Sequence, residues 1–273
     1  MLDMKVRVAL IGNPNVGKSV VFNNLTGLKQ HTGNWPGKTV EQKIGFFEYK
    51  GHEFEIVDLP GVYSLSALSE DERVARDYLI HTRPDVVVDI VNASQIERNL
   101  YLTLLLVELQ LNLVVVLNMY DVVRNRGDKI DTDALSEKLG VKVVTTVATK
   151  GEGMQDLRDA ILEAAEEHAL SKERNERREL HLPGDINGGD HLHYHPRDHH
   201  HGEYERLKPP NVKYSPEIER KLKQILEILR DKRDILDRFP PRWLALRILE
   251  RDPEVMTLIT DPELQRQLLE VTV

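Results

Sequence analysis

The sequence predicts an α/β fold: a mostly parallel six-stranded sheet with helices on both faces, followed by a small all-α domain. Strand-like and helix-like segments alternate through the first part of the chain, which is the pattern of a parallel sheet with crossover helices. The runs Val86–Ile90 and Leu113–Leu117 lack polar alternation, as strands buried on both faces do. We therefore predict one domain over residues 1–170 and a second over residues 171–273.

The elements of the first domain follow from local patterns. The predicted strands are 4–11, 41–49, 53–58, 85–91, 113–118 and 141–146. The predicted helices are 18–27, 69–81, 95–109, 131–139 and 153–168. Because Gln42–Lys50 alternates and is followed by Gly51-His52, it is predicted as an antiparallel hairpin strand at the sheet edge.

The second domain is predicted to be helical. Apolar residues recur at helical spacing through Pro216–Arg238, and Pro240-Pro241 ends that helix. Three further helices are predicted to start at Trp243, Pro253 and Pro262. Before them, the charge run Lys172–Glu179 is typical of a solvated helix end or a linker.

A phosphate-binding motif lies between the first predicted strand and helix. Residues 12–19 fit G-x-x-x-x-G-K-[ST], in the strand–loop–helix context that the motif requires. Glycines let the backbone N–H groups turn toward phosphate oxygens, and the helix N-terminus favours an anion. Lys18 is expected near the β- and γ-phosphates, and the Ser19 hydroxyl on Mg²⁺. The candidate nucleotide ligands here are Gly12, Asn13, Pro14, Asn15, Val16, Gly17, Lys18 and Ser19.

Two later segments predict recognition of guanine. The N-x-x-D segment Asn118–Asp121 ends a predicted strand, and the Asp121 carboxylate can accept hydrogen bonds from guanine N1–H and the N2 amine. Adenine offers no donor at either place, so a buried carboxylate would stay unpaired. Asn118 is expected to brace the loop; the alternative for the whole pattern is a plain strand-end turn. Further candidate ligands are Met119 and, through backbone N–H groups near guanine O6, Ala148, Thr149 and Lys150.

The segments between these motifs are predicted to sense the γ-phosphate. Asp58 is expected to hold Mg²⁺ through a water, and the Gly61 amide to donate to the γ-phosphate. Thr39 is the best candidate for a second hydroxyl on Mg²⁺. No obvious general base lies at Val62–Ser64, so we expect any hydrolysis of the bound nucleotide at its γ-phosphate to be slow. The remaining candidates in these loops are Gly37, Lys38, Leu59 and Pro60, and the candidate catalytic residues are Asn15, Lys18, Thr39 and Gly61.

The chain resembles the N-terminal G domain of the ferrous-iron transporter B family. The resemblance is carried by five segments: 12–19, Thr32–Glu41, Asp58–Leu65, Val74–Leu79 and Pro241–Glu250. It covers nearly the whole chain except about 172–212. It implies a Ras-like P-loop GTPase that binds GTP or GDP with Mg²⁺ and hydrolyses GTP at the cytoplasmic face of the membrane. In that family a membrane portion that carries Fe²⁺ follows this domain.

The same resemblance bears on Asn15. In relatives that K⁺ activates, an Asn at this place in Gly-x-Pro-Asn helps to hold K⁺ beside the β- and γ-phosphates, where the ion acts as an arginine finger does. Asn15 matches that Asn, and its alternative role is to stabilise the turn. The second domain likewise has two interpretations: a lever between the GTPase and the membrane portion, or a lid over apolar sheet surface.

Composition excludes several classes of function. Lys+Arg 37 against Asp+Glu 45 gives a net charge of −8, which argues against a nucleic-acid surface. With Cys 0, disulfides, Fe–S clusters and thiolate metal sites are excluded. Met1–Arg7 runs directly into the first strand, so we expect no signal peptide. Polar residues interrupt Leu102–Met119, which is predicted as a helix and a strand rather than a membrane span. If the chain belongs to the transporter family that it resembles, we therefore expect a fragment or a stand-alone relative.

A histidine-rich insert at about 181–201 lies outside the resemblance. Imidazole is a good ligand for Fe²⁺ or Zn²⁺, and H-x-H-x-H spacing places alternate residues on one side of an extended chain. The insert is either a disordered segment with weak metal affinity or a local metal buffer or sensor. Its candidate ligands are His191, His193, His195, His199, His200 and His201.

Two functions therefore stay open at the level of sequence. The first is the GTPase switch of a ferrous-iron transporter. The second is a stand-alone GTP-binding regulatory or assembly module without a transport role. The candidate partners are a guanine nucleotide, the membrane-embedded transporter portion and a second copy of the chain, and no nucleic acid is expected.

Overall fold

A computed structural model describes residues 4–27, 29–66, 68–179, 212–236 and 239–272. Its centre is a seven-stranded sheet in the order β2-β3-β4-β1-β5-β6-β7. Strand β1 pairs in parallel with β4 and β5, and β6 and β7 continue the parallel sheet, whereas β2 and β3 are antiparallel. The strands are β1 (Lys5–Gly12), β2 (Gln30–Asn34), β3 (Glu41–Tyr49), β4 (His52–Asp58), β5 (Val86–Asn92), β6 (Leu113–Asn118) and β7 (Lys142–Thr145).

The predicted fold class is confirmed, with one correction in the number of strands. Six strands were expected, and the sheet has a seventh, β2, at its edge. Its sequence, Gln-His-Thr-Gly-Asn, contains no apolar residue, and four of its five residues are exposed. Because it pairs only with β3 and covers no core, it needs no hydrophobic alternation. Pattern reading therefore cannot detect it.

Helices flank the sheet and form the C-terminal part. Side chains cap several of them: Ser69 accepts from the Glu72 amide and Asp131 from the Ala134 amide. The first-domain helices are α1 (Lys18–Thr26), α2 (Glu70–Thr82), α3 (Ile96–Glu108), α4 (Tyr120–Arg126), α5 (Thr132–Leu139) and α6 (Met154–Glu179). The later helices are α7 (Pro216–Leu229), α8 (Arg233–Leu236), α9 (Pro241–Leu249), α10 (Pro253–Thr257) and α11 (Pro262–Val271). The sequence prediction lacked α4 and did not separate α8 from α7.

The sheet is buried on both faces. One face packs on α1 and α6 through residues such as Phe22 and Ile161. The other face packs on α2 and α3, and the same hydrophobic cluster continues into α7, α9 and α11, where Trp243 is fully buried. The C-terminal helices thus share a core with the sheet domain. The boundary near residue 170 stays a prediction, and α6 continues beyond it to Glu179.

Ion pairs also connect the two parts. Arg242 of α9 binds Glu108, at the end of α3, with Nε 3.0 Å from Oε2, and binds Glu219 of α7 at 2.8 Å. Burial raises the pKa of the Glu108 carboxyl, and the Arg242 guanidinium offsets part of that rise. Glu254 of α10 pairs with Arg76 of α2, and the Arg73 Nε lies 3.1 Å from the same carboxylate. Two ion pairs to Glu254 therefore link helix α2 to α10.

Within the described residues, the helices include no segment with the length and hydropathy needed to cross a membrane.

Candidate nucleotide-binding site

The phosphate loop follows β1 at the carboxyl edge of the sheet and leads into α1. Two of its glycines are required by close contacts. A Cβ at Gly12 would collide with the Ile90 carbonyl oxygen, and one at Gly17 would collide with the Asn118 amide nitrogen. Gly17 also has φ 87°, and Asn15 has φ 65°, so both lie in the left-handed region. This conformation turns successive N–H groups inward, as an anion site requires.

Lys18 and Asp58 face each other at the base of the loop. The Lys18 ammonium pairs with Oδ1 of Asp58, and both side chains are largely buried. Burial raises the pKa of Asp58, and Lys18 offsets part of that rise. These two groups carry the charges that phosphate and a divalent cation would attract. Carboxylate and hydroxyl oxygens are what Mg²⁺ prefers, so Asp58 and Ser19 are suitable ligands for it.

Asn118 links three loops of the site. Its amide nitrogen donates to the Val16 carbonyl at 2.9 Å, and its Oδ1 accepts from the Thr146 hydroxyl at 3.0 Å and the Ala148 amide at 3.1 Å. The side chain is only 3% exposed. The phosphate loop is thereby held against the loop after β7. Thr146 carries no motif signal, so sequence reasoning missed it.

Asp121 lies just after this brace, at the start of α4. Its Oδ1 accepts from the Val122 amide at 3.1 Å, and its Oδ2 accepts from Lys150 Nζ at 3.3 Å. The residue before the helix, Met119, has φ 59°, and its methyl group faces Gly17. Tyr120 turns away, because its ring packs on the hydrophobic core and its hydroxyl donates to the Ile130 carbonyl. Asp121, Met119 and Lys150 thus border one surface.

The loop after β7 is also held by side chains of α1 and α4. The Asn24 amide of α1 donates to the Ala148 carbonyl at 2.6 Å, while Thr149 and Lys150 are exposed. Arg124 of α4 pairs with Glu152 at 2.5 Å across the outer side of this loop. Asn24 and Arg124 were not among the predicted site residues, because neither belongs to a recognisable motif.

The segment with Thr39 is bound to α2. The Thr39 hydroxyl donates to Glu70 Oε2 at 3.0 Å, at the first residue of α2. A turn containing Gly37 and Lys38 precedes it, with the Lys38 amide donating to the Trp35 carbonyl at 2.9 Å. The Trp35 ring lies edge-on to Tyr78 of α2, with centroids 5.3 Å apart. The structure thus brings Thr39 to Glu70, and the Lys18–Asp58 pair forms without it.

The segment Leu59–Tyr63 passes over the phosphate loop. The Leu59 amide donates to the Leu10 carbonyl at 2.9 Å. Beyond Pro60 and Gly61 the chain reaches Tyr63, whose ring lies under a guanidinium from α3. A cavity of about 290 Å³ opens here beside Asn13 to Val16 of the phosphate loop.

The histidine-rich insert, with its six candidate metal ligands between His191 and His201, lies outside the described residues. In the described part of the chain, His, Cys, Asp and Glu side chains form no group of three or more that could hold a metal ion.

Comparison with known families gives two matches. The family model described as "Ferrous iron transport protein B" matches residues 6–161, and "FeoB cytosolic helical domain" matches residues 214–272. The Fe(2+) transport protein A/Fe(2+) transporter FeoB fusion protein of Porphyromonas gingivalis is 36% identical over 251 residues, which is 92% of this chain and 26% of that protein. The Fe(2+) transporter FeoB of Salmonella typhimurium is 47% identical over 161 residues, 58% of this chain and 21% of that protein. The chain thus spans about a quarter or less of these relatives.

Solved structures agree in fold. A GDP-bound mutant of S. thermophilus NFeoB is 34% identical, with a TM-score of 0.72 over 98% of this chain and 87% of that chain. The apo cytosolic domain of the T. maritima FeoB iron transporter is 32% identical, with a TM-score of 0.72 over 98% and 94%. The M. jannaschii FeoB G-domain is 50% identical, with a TM-score of 0.54 over 60% and 99%. Since the first family model covers more than half of its residues, the chain belongs to the ferrous iron transport protein B family.

Proposed function

We propose that this chain is the GTP-binding and slowly GTP-hydrolysing switch domain of a ferrous-iron membrane transporter, placed at the cytoplasmic face of the membrane. The observation that carries the proposal is the Asn118 brace, which joins the phosphate loop to the loops of Asp121 and Ala148. The named relatives are Fe²⁺ transporters, and one similar structure holds GDP. These features support a guanine nucleotide as the ligand.

Recognition of the guanine base is assigned to Asp121 and its neighbours. The Asp121 carboxylate lies beside Lys150 and could exchange that contact for the two N–H donors of guanine. Met119 would cover one face of the base, and the exposed backbone of Ala148–Lys150 would meet guanine O6. The phosphates would occupy the loop from Gly12 to Ser19, with Lys18 released from Asp58 by their greater negative charge.

Mg²⁺ fits the oxygen donors of the site. Ser19 would bind it directly and Asp58 through a water, and Thr39 would add a second hydroxyl after leaving Glu70. When bound, the ion neutralises charge on the β- and γ-phosphates. Thr39 therefore has two alternative partners, Glu70 and the metal, which is how a nucleotide-dependent switch segment is expected to work.

Hydrolysis is proposed to be slow. Residues 62–64 provide no general base, so catalysis would come from charge stabilisation by Lys18, the Gly61 amide and Mg²⁺. Asn15, held in the left-handed region, is proposed to help bind K⁺ beside the β- and γ-phosphates. Its alternative role is to stabilise the turn, and the two roles differ in their dependence on the monovalent cation.

The C-terminal helices are proposed to act as a lever. Helix α2 starts shortly after Gly61 and carries both Glu70, the partner of Thr39, and Arg76, the partner of Glu254 in α10. A change at the nucleotide would therefore reach α10 through one rigid helix. The alternative is a lid that covers apolar surface, and the shared hydrophobic cluster fits that role too.

A membrane-embedded portion that carries Fe²⁺ is the proposed partner, and the alternative function is a stand-alone GTP-binding regulatory or assembly module. Apolar spans encoded downstream of Val273 would favour the first. Self-association stays a prediction, which sedimentation velocity with and without nucleotide would test.

The histidine-rich insert is proposed as a local buffer or sensor for Fe²⁺ or Zn²⁺, against the alternative of weak, incidental metal affinity. Calorimetry on the full chain and on a variant without residues 181–201 separates these roles. Equal heats of Fe²⁺ or Zn²⁺ binding for these two chains would rule out a sensor role for the insert.

The enzymatic proposal is tested by phosphate release. With Mg²⁺, the chain should release phosphate from GTP and not from ATP, and Lys18→Ala should abolish the release. Phosphate release from ATP at the same rate, or release from GTP that persists in Lys18→Ala, would contradict the assignment.

A further inference from the structure

The segment after Gly61 is docked on the phosphate loop by its backbone. The Val62 amide donates to the Gly12 carbonyl at 3.1 Å. Gly61 is packed against Pro14, since a Cβ at Gly61 would lie 3.3 Å from the Pro14 Cα. The Gly61 amide is thereby kept next to the loop that is proposed to hold the phosphates.

The next residue, Tyr63, is held by a cation from another element. The Arg98 guanidinium, in the first turn of α3, lies 4.7 Å from the centroid of the Tyr63 ring. This is within the range of a cation–π interaction. Among the described residues no carboxylate pairs with Arg98, and its guanidinium instead lies over the Tyr63 ring. Tyr63 is otherwise 46% exposed, and its position therefore depends on this contact.

The Arg98–Tyr63 contact borders the phosphate loop directly. Both residues line the cavity of about 290 Å³ whose other walls include Asn13 and Asn15. No motif contains Arg98, and its role emerges only because the fold brings the start of α3 beside the segment that follows β4.

We propose that Arg98 is a positioning residue for the triphosphate-bound state. Its guanidinium holds the Tyr63 ring, and through Tyr63 it keeps the Gly61 amide where the γ-phosphate of a bound nucleotide would lie. Arg98 does not touch the reacting atoms. This inference rests on the proposed function. Because a diphosphate has no γ-phosphate, the contact favours GTP over GDP and supports hydrolysis without affecting GDP affinity.

The test uses the full chain with Arg98→Met, Tyr63→Leu and the double variant. Dissociation constants are measured for fluorescent GDP and for a fluorescent non-hydrolysable GTP analogue, together with kcat for GTP. Each single variant should weaken the triphosphate analogue roughly two- to five-fold and lower kcat by a similar factor, with GDP affinity unchanged. The double variant should be no weaker than either single one.

Conservative variants distinguish positioning from a general structural role. Arg98→Lys keeps a cation and Tyr63→Phe keeps the ring, so both should recover most of the wild-type preference for the triphosphate. Lys50→Met is the control: it removes a cation that lies 5.2 Å from the Tyr49 ring and pairs with Asp159, away from the phosphate loop, and should change neither affinity.

Three results would overturn the inference. These are equal weakening of both nucleotides, additive effects in the double variant, and unchanged triphosphate affinity in Arg98→Met. If the wild-type chain binds both nucleotides and hydrolyses GTP, such results remove only the role of Arg98. If the wild-type chain binds neither nucleotide, the proposed function fails and the inference fails with it.

Discussion

Replacing Asn118 by alanine removes the side chain on which the geometry of the site most depends. Its side-chain amide makes hydrogen bonds to Val16 in the phosphate loop and to Thr146 and Ala148 in the loop after β7. Alanine can replace none of them. The Val16 carbonyl and the Ala148 amide would be left without their partner in a buried setting, since those residues are only 2% and 4% exposed.

The size of the effect follows from these three contacts. Each hydrogen bond contributes about 1 kcal/mol net, and an unpaired buried group costs roughly 1–3 kcal/mol. Asn118→Ala should therefore lower the free energy of unfolding by about 3–5 kcal/mol. In a chain of this size that corresponds to a fall in Tm of roughly 6–20 °C. GDP affinity should fall by more than about tenfold, because the phosphate loop loses its fixed position relative to Asp121.

Asn112→Ala is the matched control for this prediction. The Asn112 amide donates to the Asp85 carbonyl at 2.7 Å and the Ala164 carbonyl at 2.9 Å, at the opposite end of β6. It should lower stability by about 1–3 kcal/mol in urea unfolding and leave GDP affinity nearly unchanged. A loss of less than about 1 kcal/mol in Asn118→Ala, or equal weakening of GDP binding in both variants, would show that Asn118 does not brace the site.

Three further predictions concern other parts of the molecule. Burial raises the pKa of the Asp89 carboxyl to about 7, although the Thr103 hydroxyl donates to it. Between about pH 4 and pH 7 the folded chain therefore binds a proton that the unfolded chain has lost, so the free energy of unfolding falls as the pH rises. Asp89→Asn should flatten that slope and add roughly 2–4 kcal/mol to the free energy of unfolding at pH 8, measured by urea unfolding. Glu254→Gln breaks the ion pair that links α2 to α10 and should change the rate of GDP release about two- to five-fold in stopped-flow fluorescence. Glu263→Gln, which removes an exposed ion pair with Arg266, should leave that rate unchanged. GTP turnover should be faster in KCl than in NaCl, and Asn15→Ala should abolish the difference; equal turnover of the wild-type chain in both salts would exclude K⁺.

The parallel core of the fold was predictable, and its edge was not. Strands β5 and β6 are buried on both faces and are apolar except for Asp89 within β5 and the asparagine that ends each strand, so the lack of polar alternation is visible in sequence. Strand β2 lies at the edge, where main-chain pairing with β3 suffices and side chains stay exposed. No residue pattern distinguishes such a strand from a polar loop.

The candidate site, like the fold, was predictable from the sequence only in part. Gly12 and Gly17 are identifiable because close contacts leave no room for a side chain, and such constraints produce a motif. The partners Thr146, Glu70 and Arg98 are not identifiable, because each is brought to the site by a different element at a long sequence distance. The sequence predicts Asn118 as a brace, whereas its partner Thr146 follows only from the register of β6 and β7.

Asp121 is proposed to select guanine in this site. The most direct measurement is displacement of fluorescent GDP by GTP, ATP and XTP, on the native chain and on Asp121→Asn. GTP should displace and ATP should not, and the variant should turn from GTP toward XTP, whose exocyclic oxygen matches the asparagine amide. If ATP competes as well as GTP, or if the variant keeps its preference for GTP, Asp121 does not form the base pocket and the proposed guanine specificity is wrong.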